Sequence, residues 1–76
     1  MLKKKLLIHG MKQLIDLNRV AVSVPEDVWL TSKDGAIRAN AKSGLNLFAL
    51  DLNAPITVET ESQVVIDAVD QIALEL

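Results

Sequence analysis

The segment from residue 40 to residue 50 most constrains the fold, because its hydrophobic period changes from that of a strand to that of a helix at one serine. Before it, residues 36–41 alternate small or apolar side chains with polar ones, a period of two that predicts a half-buried strand. Ser43 is predicted to be the N-cap of the following helix and to accept a hydrogen bond from one of its first free N–H groups. A helix start also tolerates a phosphate well, because the free N–H groups and the helix dipole favour negative charge. The apolar pairs that can share a face of this short helix are Leu47 with Leu50 and Leu45 with Phe48.

The length and composition of the chain predict one small domain over residues 1–76. Half of the 76 residues are hydrophobic, and nearly all of the Leu, Ile and Val must be buried to offset the conformational entropy of so short a chain. The chain has no cysteine and one histidine, so neither a disulfide nor a metal site is expected. We find no targeting or membrane-spanning segment, and we expect a cytoplasmic location.

Basic and acidic residues are unevenly distributed along the chain. Up to residue 43 there are eight Lys or Arg against four acids, and beyond it there are six acids and no basic residue. We predict no binding to nucleic acid, because such a surface needs several basic residues on one face and the aromatic residues available for stacking are just Trp29 and Phe48. The single basic run, Lys3-Lys4-Lys5, is predicted to be the solvated, frayed end of a strand, with contact to an acidic partner as the alternative.

Hydrophobic periodicity and turn residues predict seven elements in the order βαββαβα. The lysine run marks the first strand as a sheet edge or an exposed start. Asp34 and Gly35 predict a tight hairpin turn with positive φ angles, and Thr60 or Ser62 is available to cap the last helix. The predicted strands cover residues 2–8, 27–32, 36–41 and 56–59. The predicted helices cover residues 11–22, 43–50 and 61 to about 74, and Leu76 continues the apolar face of the last helix. Residues 51–54 are predicted to form a loop.

Helices collected on one side of a mainly antiparallel sheet give an α+β fold, a two-layer sandwich. The strand phase that buries Val28 and Leu30 places Trp29 on the opposite face of the sheet. An uncovered indole on an open sheet face predicts a contact with a partner or a homodimer formed through that face.

The element order and the local sequence resemble the HPr family, the histidine-containing phosphocarrier proteins of the bacterial phosphoenolpyruvate sugar phosphotransferase system. The resemblance is best from residue 27 to residue 58, and the last helix fits it too. It implies an open-faced two-layer sandwich in which a four-stranded antiparallel sheet carries three helices on one face. The matching residues are the Asp34-Gly35 turn, Asn40-Ala41-Lys42-Ser43, Leu45, Leu47, Phe48, Leu50 and Leu52, and Ile56-Thr57-Val58.

The resemblance implies a regulatory phosphorylation site at Ser43, which in HPr proteins of Gram-positive bacteria is phosphorylated by an ATP-dependent kinase. The next position is usually apolar in the family and is Gly44 here. Leu45 and Phe48 resemble the exposed apolar docking patch of the family, and the alternative is that both side chains are buried.

The phosphocarrier site of the family matches less of this chain. In the family, a glycine-containing loop ends in a catalytic histidine, followed by an arginine and a proline at the start of the first helix; helix N–H groups and the arginine hold the transferred phosphoryl group. Here the one histidine, His9, is followed by Gly10-Met11-Lys12-Gln13, and the loop is shortened. Lys12 could supply the charge of the missing arginine but not its planar fork. A lone histidine at a strand end is more often a surface residue or a hydrogen-bonding residue of a loop than a nucleophile.

Three hypotheses for function follow. The first is a regulatory or adaptor protein that binds proteins of the phosphotransferase or carbon-control system through the Ser43 helix and carries no acid-labile phosphate. The second is a working phosphocarrier that relays phosphate through His9, as a stoichiometric participant and not an enzyme. The third is a structural interaction domain with a Trp29-dependent homodimer. None of them requires a cofactor or a membrane.

Overall fold

The computed structural model describes residues 1–50, 54–72 and 74–75 of the chain. Within these ranges the predicted order βαββαβα is confirmed, and a further two-residue strand follows it. The predicted loop at residues 51–53 and the apolar position at Leu76 lie outside the described residues. In chain order the elements are β1 (Leu2–Leu7), α1 (Met11–Val22), β2 (Val28–Thr31), β3 (Arg38–Asn40), α2 (Gly44–Leu47), β4 (Ile56–Thr60), α3 (Gln63–Ile72) and β5 (Leu74–Glu75).

The strands form one antiparallel sheet in the order β3-β2-β4-β1-β5. β4 lies in the middle, where Val58 pairs with Lys4 of β1 on one side and with Leu30 of β2 on the other. Pro55 directly precedes this strand, at the position where its missing N–H removes no bond from the ladder. The central strand therefore comes from the second half of the chain and joins two strands of the first half.

The strand β5 corrects the predicted end of the last helix. α3 was expected to continue to about residue 74, but it ends at Ile72, and Leu74 pairs with Leu7 of β1. The physical reason is that an edge strand leaves a row of N–H and C=O groups unpaired, and returning backbone can satisfy them. At the start of the same helix, the Ser62 hydroxyl oxygen accepts a hydrogen bond from the N–H of Val65 at 3.3 Å, so Ser62 is the cap.

The three helices lie on one face of the sheet and form the core with it. Alternate residues of β2 and β4 are buried, as the period of two predicts: Val28 and Leu30 in β2, and Ile56 and Val58 in β4. In β1, Leu6 is the residue that is buried. The helices contribute the other large side chains of this core, which are Leu14 and Leu17 of α1, Leu47 of α2, and Val65 and Val69 of α3.

The turn between β2 and β3 is wider than predicted. Ser32 still lies opposite Ile37, as a turn centred on Asp34 and Gly35 requires, and its N–H donates to the Ile37 carbonyl at 2.8 Å. Within the turn, Gly35 has a positive φ of 76° and Asp34 does not. The prediction that both residues have positive φ angles is therefore wrong. Asp34 stabilises the turn through its side chain instead, because its Oδ1 accepts bonds from the Ala36 N–H at 3.0 Å and from the Ser32 hydroxyl at 2.7 Å. These two bonds lower the pKa of Asp34.

The lysine run lies on β1 and is not frayed. Residues Leu2 to Leu6 pair with β4, so the backbone of all three lysines belongs to the sheet. Lys3 and Lys5 are exposed on the open face, whereas Lys4 points towards the helices and forms an ion pair with Asp70 of α3. The prediction of a frayed strand end is therefore wrong, and the run divides between the two faces of the sheet.

Trp29 lies on the open face of the sheet, as predicted, but it is not uncovered. Its side chain is half-buried, and the guanidinium carbon of Arg38 lies 4.3 Å from the centroid of its ring. Arg38 reaches the indole diagonally from β3, since Trp29 pairs with Asn40, two residues further along the same strand face. The expectation of a bare indole is wrong because this cation–π contact covers it.

Candidate docking surface between α1 and α2

Helix α1 presents one apolar stripe to the core and a second one to solvent. Leu14 and Leu17 are buried, and Ala21 continues their stripe one turn later. Met11 and Ile15, which are four residues apart and so share a face, are 43% and 53% exposed. A helix of a small domain normally places polar residues at such positions, so this stripe calls for an explanation.

Helix α2 has the same property in a shorter element. Its four residues run from Gly44 to Leu47, and the helix continues as i→i+3 bonds that end at Leu50, a tighter winding than the predicted helix over residues 43–50. Leu47 and Leu50 are buried, whereas Leu45 is 83% exposed and Phe48 is 62% exposed. The alternative in which Leu45 and Phe48 are buried is wrong.

The two exposed stripes face each other across a groove of about 350 Å³. Leu14 and Leu47 form its buried floor, and Gly44 leaves open space, because a Cβ atom added there would meet nothing within 4 Å. We call this groove and its walls the docking surface. Its walls are Met11, Ile15 and Asn18 from α1, and Leu45 and Phe48 from α2.

Polar contacts fix the position of α2 against α1. The Asn18 side-chain amide donates to the carbonyl of Ala41 at 2.7 Å, across 23 residues of chain. The Lys42 ammonium donates to the carbonyl of Val24, beyond the end of α1, at 2.6 Å. Asn40 closes the turn that leads into α2, since its Oδ1 accepts from the N–H of Lys42 at 2.9 Å. Bonds made by the segment that leads into α2, one of them with the wall residue Asn18, therefore fix the position of α2 beside α1.

Ser43 occupies the N-cap position of α2, as predicted, with an extended backbone. Its hydroxyl makes no cap hydrogen bond, so that part of the prediction is wrong; its carbonyl instead accepts from the N–H of Asn46 at 3.2 Å. The side chain is partly exposed and precedes Gly44, which lines the groove. A group attached to this hydroxyl would lie beside the docking surface.

His9 and Lys12 have separate partners in the structure. His9 is exposed in the link between β1 and α1, and its backbone N–H donates to the Gln13 side-chain oxygen at 2.6 Å. Gly10 caps α1 with a φ of 101°, a value that only glycine adopts readily. The Lys12 ammonium lies 3.3 Å from Asp16, one turn further along α1, so its charge is directed to that carboxylate.

The structure adds Met11, Ile15 and Asn18 of α1 to the walls of the candidate site, and the sequence singled out none of them. Met11 and Ile15 are four residues apart in the sequence, but this spacing widens an apolar stripe that also fits a buried helix. Trp29 lies on the open sheet face and is not part of this surface.

In the part of the chain that the structure describes, no group of three or more His, Asp or Glu side chains could hold a metal ion. No helix in that part is long and apolar enough to cross a membrane.

Comparison of the sequence with models of known protein families and with curated protein sequences gives no match. The assignment of a function therefore depends on the docking surface and on the resemblance that its residues carry.

Proposed function

We propose that the chain is an HPr-like adaptor or regulatory protein that binds proteins of the phosphotransferase or carbon-control system through the docking surface, in the cytoplasm. The observation that carries this proposal is the exposure of Leu45 and Phe48 opposite Met11 and Ile15. Clustered apolar side chains around a groove are typical of protein interaction sites, whereas exposed apolar residues scattered singly are common. The resemblance adds the class of partner, because Leu45 and Phe48 match the docking patch of the family.

Binding is expected to depend on the two exposed side chains of α2. The partner for the test is Enzyme I, the protein that passes phosphate from phosphoenolpyruvate to HPr proteins. Leu45→Ser and Phe48→Ser should each weaken the affinity for it about thirtyfold, because an apolar anchor in a groove contributes about 2 kcal/mol or more. The measurement is a titration of the isotope-labelled protein with Enzyme I, followed through amide chemical shifts. The shifts are expected to be confined to α1 and α2.

The matched control for this titration is Val64→Ser on α3. Val64 is 64% exposed, close to the value for Phe48, but it lies outside the groove. It should leave the affinity unchanged. Equal losses of affinity for Val64→Ser and Phe48→Ser would mean that the binding is non-specific hydrophobic association and does not depend on the groove.

Phosphoryl transfer through His9 is not expected. The chain has neither the arginine nor the proline that follows the family histidine, and the charge that could substitute, on Lys12, is paired with Asp16. Incubation with phosphoenolpyruvate and Enzyme I should add no acid-labile phosphate to the intact mass, under conditions that label an HPr protein fully. A phosphate that appears here and is absent in His9→Ala would restore the phosphocarrier hypothesis.

Ser43 is the proposed regulatory position of the same surface. Phosphorylation would place about two negative charges next to Gly44 and the apolar walls of the groove. A partner that packs an apolar side chain into the groove would then have to desolvate this charge, and its affinity would fall. Phosphorylation of Ser43 would therefore switch docking off.

A further inference from the structure

The open face of the sheet carries a second surface, which is separate from the docking surface. Lys3 and Lys5 project from β1 on this face, and Lys33 lies across the sheet in the turn after β2. Between them lies a trough of about 540 Å³, with Thr31, Thr57 and Glu59 on its floor. We call it the basic trough.

The charges of the basic trough are unequal. Its two carboxylates already accept hydrogen bonds: Glu59 from the Thr31 hydroxyl at 3.1 Å, and Asp34 from its own turn. Among the described residues, the ammonium groups of Lys3, Lys5 and Lys33 form no ion pair. Three lysines against these two carboxylates leave the trough with a net charge of +1, and the three ammonium groups are free to donate to an anionic partner.

The spacing of the lysines indicates the shape of that partner. Lys3 and Lys5 are two residues apart on one strand, so their Cα atoms are separated by roughly 7 Å. Lys33 follows β2, which is separated from β1 by β4, and two strand spacings amount to roughly 10 Å. Alternate side chains of an extended peptide have the same separation of roughly 7 Å. A single phosphate could contact all three lysines only if their ammonium groups moved close together, against their mutual repulsion.

We propose that the basic trough binds an extended acidic segment of a partner protein, with Asp or Glu at alternate positions. Charge complementarity carries this proposal, and the site is independent of the docking surface. A single-stranded nucleic acid fits less well. Stacking of bases needs free aromatic faces, and Arg38 already occupies one face of Trp29, the aromatic residue on the open face of the sheet. A homodimer through this face would oppose two surfaces of the same net charge.

The test uses the intact chain and a synthetic peptide in which Glu and Ser alternate. Trp29 is the single tryptophan and lies in the same cross-strand row as Glu59 and Lys3, so its fluorescence reports on this site. The peptide should change this fluorescence and shift the amide signals of β1, β2 and β4, with an affinity that falls as the salt concentration rises. The same peptide with Gln in place of Glu should have no effect.

Two sets of variants make the test specific. Lys3→Gln combined with Lys5→Gln should weaken peptide binding about tenfold, through the loss of two exposed ion pairs, and Lys33→Gln should weaken it less. Arg19→Gln, which removes one exposed charge from α1, should leave binding unchanged. Amide spectra of each variant check that it is folded.

Five results would overturn the proposal. The first is that the Arg19 variant weakens peptide binding as much as the lysine variants do. The second and third are that a single-stranded oligonucleotide binds more tightly than the peptide, or that inorganic phosphate binds as tightly as the peptide and shifts the same amides. The fourth is a concentration-dependent dimer that buries Trp29. Shifts confined to α1 and α2 would likewise show that the peptide binds the docking surface instead.

Discussion

Replacing Leu47 with alanine is expected to lower the free energy of unfolding by about 2–5 kcal/mol, the range for a Leu→Ala change in a packed core. Leu47 is 2% exposed and forms the floor of the groove, so its loss leaves a cavity beneath α2. A chain of 76 residues has a total stability of about 4–11 kcal/mol, so this single change removes a large part of it. Urea unfolding followed by circular dichroism measures the effect.

Leu45→Ala is the matched control, two residues away on the same helix. Leu45 is 83% exposed, and leucine and alanine both favour a helix, so the change in stability should stay within about 0.5 kcal/mol. The two variants therefore separate stability from binding: one damages the fold and the other damages docking. Similar stabilities for Leu47→Ala and Leu45→Ala would contradict the packing of α2 described above.

The second large effect is expected at Lys4, where the sheet and α3 meet. Its side chain is 13% exposed and forms an ion pair with Asp70, whose side chain is 45% exposed. Lys4→Glu would place two carboxylates together at this partly buried position. We expect a loss of about 3 kcal/mol, the lower end of the range for breaking a buried ion pair, because water can still reach Asp70.

Lys4→Met separates the role of charge from that of packing. It keeps an apolar stem of similar length, and Asp70 is 45% exposed and can be hydrated without its partner. The loss should therefore be that of an exposed ion pair, about 1 kcal/mol or less. Combining Lys4→Glu with Asp70→Lys should recover part of the loss, which a double-mutant cycle in urea measures. A loss for Lys4→Met as large as that for Lys4→Glu would show that packing, and not charge, dominates at this position.

The boundaries of α1 could be predicted because local signals agreed there. The apolar residues Leu14, Leu17 and Ala21 repeat at helical spacing, and Pro25 prevents the helix from continuing far beyond Val22. The order of strands and helices followed in the same way from changes of period. These features depend on residues close in sequence, which is why the sequence alone contained them.

The orientation of α2 could not be predicted, because its two apolar pairs are equivalent in the sequence. Leu47 with Leu50, and Leu45 with Phe48, each define a face, and nothing local decides which one is buried. The decision comes from contacts that are distant in sequence, such as the bond from Asn18 to Ala41. The contact of Arg38 with Trp29 escaped prediction for a related reason, since it joins diagonal neighbours on two strands.

The central position of β4 has a consequence for how the two proposed surfaces can work together. Its residues alternate between the core and the open face, with Val58 buried and its neighbours Thr57 and Glu59 on the floor of the basic trough. The docking surface and the trough therefore lie on opposite layers of a domain about 27 × 24 × 23 Å in extent. Two proteins bound on opposite sides would not compete for space, and each would raise the local concentration of the other to the millimolar range typical of short tethers. A chain of this size would then act as a rigid spacer that brings two partners together.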